Sequence, residues 1–315
     1  MRVGIPKGLL YCKYHPFFET FFHGLGAEII NSEDTNKSIL NTGVKACVDE
    51  ACLPVKIYHG HIASIKDQCD LLVIPRIMQV YRNEYICPKF CGLPEMVIHS
   101  IPDMPPVTLA PLYMHNKKSL YKWCISSGSA ITRNRSKIKH AFELALKAQS
   151  NYKTGILDQK DITVMLAGHP YIVNDAFLNM NIVNKLKAKG IGIITEEFAP
   201  SSITETQIKK LLKKPFWTFK RNLYGASAAF YEQKKVHGII YLSSFACGID
   251  SIVVDLIRFH IGEFPMLVIK LDEHTGEAGV DTRLEAFTDM LERRVVNENN
   301  HPSHGQCLYS SQNSI

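Results

Sequence analysis

The chain has 315 residues, 46% of them hydrophobic, and its 36 basic and 30 acidic residues leave a formal net charge of +6. This is the make-up of a globular protein long enough for two domains, which sets wholesale disorder aside. The charge excess is mild, and the basic clusters RNRSKIKH (133–140), KLKAKG (185–190) and KKLLKKP (209–215) come with no recognised nucleic-acid motif, so nucleic acid is not the expected partner.

No stretch approaches the roughly 20 apolar residues that span a bilayer, and MRVGIPKGLL lacks the apolar run and cleavage site of an export signal, so a cytoplasmic location is expected. In chain order, short apolar runs predict strands over residues 2–5, 27–30, 70–74, 162–167, 191–195, 238–242 and 266–271. Between them, amphipathic segments predict helices over 16–25, 53–65, 136–148, 175–189, 205–212, 249–260 and 283–292, with Gly24, Gly26 and Gly190 where helix ends are expected. The alternation implies repeated βα units, hence an α/β fold with mainly parallel sheets whose Val/Ile/Leu-rich strands are covered on both faces. The polar stretch 149–160 separates two groups of units and suggests lobes over 1–150 and 151–294. The aperiodic tail 295–315, polar from Asn297 onward, reads as disordered, which makes Cys307 a poor ligand.

Nine cysteines, an odd number, run from Cys12 to Cys307 with no export signal, so metal or redox chemistry is a better expectation than a disulfide framework. Functional groups of open parallel sheets gather at the carboxyl ends of the strands, which singles out the cysteines that fall there. Cys247 lies where the strand GIIYLSS runs through FACGIDS into a helix, with Gly248 permitting close backbone approach and Asp250 or Ser251 available as N-cap. A helix N-terminus lowers a thiol's pKa, and thiolate is the form that iron requires. Cys52 repeats the arrangement in DEACLPVKIYHGHI, with Pro54 in a first helical turn. Cys87 lies in NEYICPKFCGLPE, where Cys91 follows at a spacing that zinc also accepts. With no second close pair, one thiolate from each of three separate loops is more like a cluster site than a zinc ribbon. Cys12, Cys47, Cys69 and Cys124 are explained by packing.

The segment LDEHTGEAGVDTRLEAF places Glu273 and His274 at a strand end, as acid-base groups or as part of a loop in which Asp281 or Thr282 caps the next helix. In AGHPYIVND, His169 has the same kind of position, with Asn174 or Asp175 as caps; it reads as a contact to substrate or cluster, or as a structural histidine. There is no phosphate-loop motif and no G-x-G-x-x-G fingerprint, and the glycine-containing turn GIPKGLLY (4–11) matches neither.

Together, GIPKGLLYCKYHPFFETFFHGLGAEII, DEACLPVKIYHGH, EYICPKF, GHPYIVND, SSFACGIDS and LDEHTGEAGVDTRLEAF resemble the 2-hydroxyacyl-CoA dehydratase and benzoyl-CoA reductase superfamily, and more closely its activase-related branch. The resemblance implies Rossmann-like (flavodoxin-like) lobes with an iron–sulfur cluster, [4Fe-4S] or a larger double-cubane type, in the cleft between them. It places the ligands at Cys52, Cys87 and Cys247, with Cys91 as the rival for the middle position. It also implies an ATP-dependent activase, an actin-like ATPase with its own iron–sulfur cluster, as electron donor, and a second cluster-bearing subunit or a homodimer as further partner. The chain is short for a dehydratase subunit and shows no CoA-binding segment. The functional expectation is therefore an electron acceptor or reductase component, with a non-catalytic activase-docking or relay subunit and a zinc-binding α/β protein as alternatives.

Overall fold

The computed structural model describes residues 1–213 and 215–300. The first part of the chain runs β1 (Arg2–Ile5), α1 (Tyr11–Gly24), β2 (Glu28–Asn31), α2 (Lys37–Lys45), α3 (Leu53–Ile65), β3 (Leu71–Leu72), β4 (Arg76–Gln79), α4 (Pro88–Cys91), α5 (Leu93–Ser100), β5 (Pro111–Tyr113), α6 (Lys117–Gly128) and α7 (Arg135–Asn151). It continues with β6 (Leu157–Asp158), β7 (Thr163–Gly168), α8 (Pro170–Val173), α9 (Ile182–Ala188), β8 (Gly192–Ile194), α10 (Ser201–Lys209), α11 (Thr218–Glu232), β9 (Gly238–Ser244), α12 (Gly248–Ile261), β10 (Met266–Leu271) and α13 (Glu277–Asn300).

The strands form a sheet of order β2-β1-β3, a second of order β10-β9-β7-β8-β6, and a separate β4-β5 pair. All pairings are parallel except that of β6 with β8. The α/β class read from the sequence is therefore the observed one. Strands β7 and β9 are buried at every position, as their unbroken apolar runs require when helices cover both faces. In α1 the buried residues Phe17, Phe18, Phe21 and Phe22 recur at helical spacing. Phe18, Phe21 and Phe22 meet Trp123 of α6 edge-on or tilted, and Phe17 meets Phe142 of α7 edge-on, which packs both later helices against α1.

Every expected strand is present, though two are shorter than predicted. The helix expected over 175–189 is broken instead: Met180 and Asn181 take left-handed conformations at φ 53° and 57°, and only α9 remains of it. Asp175 caps the intervening turn, its Oδ1 accepting the N–H groups of Phe177 and Leu178 at 3.0 Å each. Helix α13 starts earlier and runs longer than expected, so Asp281 and Thr282 lie inside it and cap nothing; Asp281 pairs with Lys185 at 2.6 Å. It also carries Asn297 to Asn300, which the sequence reading assigned to a disordered tail; the rest of that tail, with Cys307, lies outside the described residues. Among the described residues no helix is long and apolar enough to cross a membrane.

Candidate metal centre

In the second sheet β8 and β9 lie on opposite sides of β7, so the chain changes direction at the carboxyl ends of β7 and β9. Such a switch point opens a crevice that helices cannot fill. His169 follows β7, while Ser243, Ser244 and Cys247 lie at the end of β9 or just beyond it. Cys247 is the N-cap of α12, and its side chain makes no capping bond, so the thiol is free for another use. An added Cβ on Gly248 would meet nothing within 4 Å, so the close approach expected there does not occur.

Two further helices bring the other thiols to this edge. Cys52 is the N-cap of α3, with Pro54 in the first turn, and every residue of α3 except Ala63 and Ser64 is buried. The helix is seated directly on the second sheet, because Leu53 N–H donates to Ser244 Oγ at 3.2 Å. Cys87 is the N-cap of the short α4, ahead of Pro88. Its loop is pinned to the start of α11 by Tyr85 N–H donating to Phe216 O at 2.8 Å and Thr218 N–H donating to Tyr85 O at 2.9 Å. Arg221 of α11 adds an ion pair to Glu84 at 2.9 Å.

Tyr171, in the short α8 that follows His169, is 8% exposed. Burial pushes its hydroxyl well above the usual tyrosine range, and the charges of Cys52, Cys247 and Cys87 add to that effect. Burial also pushes the Cys87 thiol up; the Lys89 N–H partly offsets this, while Cys52 and Cys247 reinforce it. The thiols of residues 52, 87 and 247 are thus close enough to feel one another's charge. Cys91 is directed elsewhere, its Sγ donating to Ile77 O at 3.5 Å, and its thiol is raised by burial against the single opposing charge of Arg76.

A buried polar group backs Cys247. Asp250, 1% exposed, accepts from Lys220 and from Tyr241 Oη at 2.7 Å on Oδ1, and from Ser243 Oγ at 3.1 Å on Oδ2. Its carboxylate is an ion-pair partner for Lys220 rather than the helix cap that the sequence suggested. Burial pushes the Lys220 ammonium down to about 8, against the opposing pull of Cys247, Glu196 and Cys87. His169 Nε2 lies 4.0 Å from Cys247 Sγ and 3.9 Å from Asp250 Oδ1, and its Nδ1 is buried without a protein partner. Burial, followed by the Lys220 charge, lowers its pKa well below the ordinary histidine value, so the ring is neutral near pH 7. It stacks on Tyr171 at 4.8 Å between centroids and meets Phe219 edge-on at 5.7 Å.

Of the two residues expected as acid-base groups, Glu273 is ion-paired to Lys56. Burial alone would raise its pKa, but the hydrogen bond and charge of Lys56 hold the carboxylate below its ordinary range, and Lys56 itself is 1% exposed. His274 is exposed, and its backbone N–H donates to Asp272 Oδ1 at 2.9 Å within the turn that precedes α13. The residues that sequence reasoning missed are Lys220, Tyr171, Tyr241 and Ser243. Each acquires its role only through contacts between distant segments, and no local pattern marks them.

Nε2 of His169, Sγ of Cys247 and Oδ1 of Asp250 lie within 4.8 Å of one another, a spacing that suits one metal ion. The carboxylate, however, is already taken up by three donors, and the adjacent Lys220 ammonium repels a cation. The same ammonium complements thiolates and an anionic thiolate-bound cluster. Fold and site together define an α/β protein with His169, Cys247 and a buried Lys220–Asp250 pair at the switch point of its larger sheet.

The sequence matches the CoA enzyme activase uncharacterised domain family (DUF2229) over residues 2–198, and the chain belongs to that family. This agrees with the activase-related resemblance of its motifs. A comparison with curated proteins gives no match. Among solved structures, glutamate racemase isoform RacE1 from Bacillus anthracis is 10% identical, with 95% of this chain and 82% of that one covered at a TM-score of 0.21. The C-terminal domain of glucosamine-fructose-6-phosphate aminotransferase from Francisella tularensis is 11% identical, with 94% and 83% covered at a TM-score of 0.21. Likenesses this distant bear on neither activity nor ligand.

Proposed function

We propose that Cys52, Cys87 and Cys247 hold an iron–sulfur cluster and that the protein is an electron acceptor or reductase component supplied by an ATP-dependent activase. What supports this reading is that the helix headed by Cys52 is bonded through Leu53 N–H to Ser244, just ahead of Cys247, while the Cys87 loop is bonded to the start of the helix that carries Lys220. When bound, such a cluster supplies one-electron chemistry. The chain's own residues fit the group in specific ways. Lys220 offsets the negative charge of the thiolates, and Asp250, Tyr241 and Ser243 fix Lys220 in place. The buried rings of Tyr171, Phe90 and Phe219 pack about this edge and exclude water. Neutral His169 presents Nε2 to Cys247 Sγ and can donate to a thiolate there.

The family assignment supports a connection to activase systems without fixing a substrate. A non-catalytic relay subunit would use the same thiols. Anaerobic purification followed by iron and acid-labile sulfide quantification and electron paramagnetic resonance tests the cluster. Zinc without iron or sulfide refutes it and restores the zinc reading of Cys87 and Cys91. Electron consumption by holo-protein plus activase across candidate substrates then separates a reductase from a relay.

A further inference from the structure

The smaller sheet has a switch point of its own, because β2 and β3 lie on opposite sides of β1. At the carboxyl end of β1 there is a cavity of about 500 Å³, within the ~300–1,000 Å³ range of small-molecule sites. It is lined by Lys7 and Gly8 of the loop between β1 and α1, by Asp34 and Thr35 beyond β2, and by Asp175 from the other half of the chain. Tyr171, which senses the three thiols, is also part of its wall.

The lining has three chemically distinct regions. At the rim, Lys7 Nζ lies 2.6 Å from Asp34 Oδ1, but the Asp34 side chain is 93% exposed, so this ion pair is weak and an incoming anion can displace it. Gly8 has φ +125°, and a Cβ there would lie 3.2 Å from the His61 ring, so glycine lets this turn pack closely on α3 while Gly8 itself lines the cavity. A second region is aromatic: Tyr11 and His15 stack at 4.9 Å, and Tyr152 meets His15 edge-on at 4.8 Å. The third is a fixed acceptor. Lys7 N–H donates to Ser32 Oγ at 2.9 Å, Ser32 Oγ lies 2.9 Å from His61 Nδ1, His61 Nε2 lies 3.0 Å from Thr35 Oγ1, and Thr35 donates to Asp175 Oδ2 at 2.5 Å. Since the series ends on a carboxylate, each member donates toward Asp175, and His61 is neutral with its proton on Nε2. Burial and the Lys7 charge push His61 down to about 4, in keeping with that form.

From this arrangement we infer that the cavity binds a ring-bearing phosphate of mononucleotide size. The phosphoryl group replaces Asp34 on Lys7 beside the Gly8 turn, the ring lies against the aromatic wall, and a hydroxyl or amino group of the ligand donates to Asp175. The placement follows the general preference of open α/β sheets for ligands at a switch point. It requires no metal, so it stands or falls separately from the proposed cluster.

Isothermal titration of the full chain, with and without iron, against adenosine monophosphate, adenosine, inorganic phosphate and benzoate tests it. Adenosine monophosphate should bind at least about tenfold more tightly than adenosine or phosphate alone. Lys7→Gln should weaken adenosine monophosphate at least about tenfold while leaving adenosine unchanged; circular dichroism checks that this variant is folded. Absence of adenosine monophosphate binding at about 1 mM, equal binding by Lys7→Gln, or tighter binding of benzoate would each overturn the assignment, the last by assigning the site to a carboxylate.

Discussion

Leu53 N–H donates to Ser244 Oγ at 3.2 Å across 191 positions of sequence, so the residue after Cys52 touches the last residue of the strand that leads to Cys247. This contact fixes one proposed ligand relative to another. Ser244→Ala leaves the buried Leu53 N–H unpaired, which costs about 1–2 kcal/mol. Urea unfolding should show that loss, together with weaker iron retention; stability equal to that of the parent protein would mean the bond does not hold α3 at the strand end.

Serine substitutions sort the cysteines. Cys52→Ser, Cys87→Ser and Cys247→Ser should each lose most of the iron and visible absorbance, because a hydroxyl is a poor substitute for thiolate on iron. Cys69→Ser and Cys91→Ser should keep both, since Cys69 is buried beside Ile65 O and Cys91 is turned to Ile77 O. Equal iron content across all five variants would reject the ligand set.

The Lys220–Asp250 pair is buried on both sides, with side chains 2% and 1% exposed. Lys220→Met should therefore cost about 3–5 kcal/mol, because it strands a buried carboxylate. Adding Asp250→Asn should recover a large part of the loss. If the single and double variants unfold at the same denaturant concentration, the pair is not coupled.

Burial pushes the Glu196 carboxyl up to about 8 from 4.5, against the nearby Lys13 ammonium and with help from Glu197, and its Oε2 has no protein partner. A folded-state pKa above the unfolded value means that the folded protein binds the extra proton between these two values. The stability from this group is full below about pH 4.5 and is lost as pH rises through about 8. Glu196→Gln should flatten that dependence and be the more stable form at pH 8 by on the order of 1–2 kcal/mol. Parallel stability profiles for variant and parent would contradict the protonated form.

The strands were legible because β7 and β9 are continuous apolar runs, a pattern that only coverage on both faces explains. Helix α11 was not, although most of its residues are buried. Its middle is buried all round and includes Gly225, Ala226, Ser227, Ala228 and Ala229, small residues that allow close packing yet carry almost no hydrophobic period. Cys52 and Cys247 could be singled out because each directly precedes an expected helix, and Cys87 because its loop follows a strand; the short α4 after Cys87 was not expected. Their neighbours could not: Lys56 and Glu273 pair across 217 positions, and Lys220 meets Asp250 across 30, so neither partner marks the other in a local window. Lys56 is also an ion-pair partner that the strand-end position of Glu273 gave no sign of.

The attachment of α3 to the end of β9 has a consequence for assembly. A group bonded to residues 52, 87 and 247 would act as a cross-link that encloses roughly 200 residues of chain, and closing so long a loop in the unfolded state carries a large entropic cost. Loading should therefore raise the melting temperature of the whole molecule, and chelation should loosen both sheets together rather than the immediate surroundings of the thiols alone.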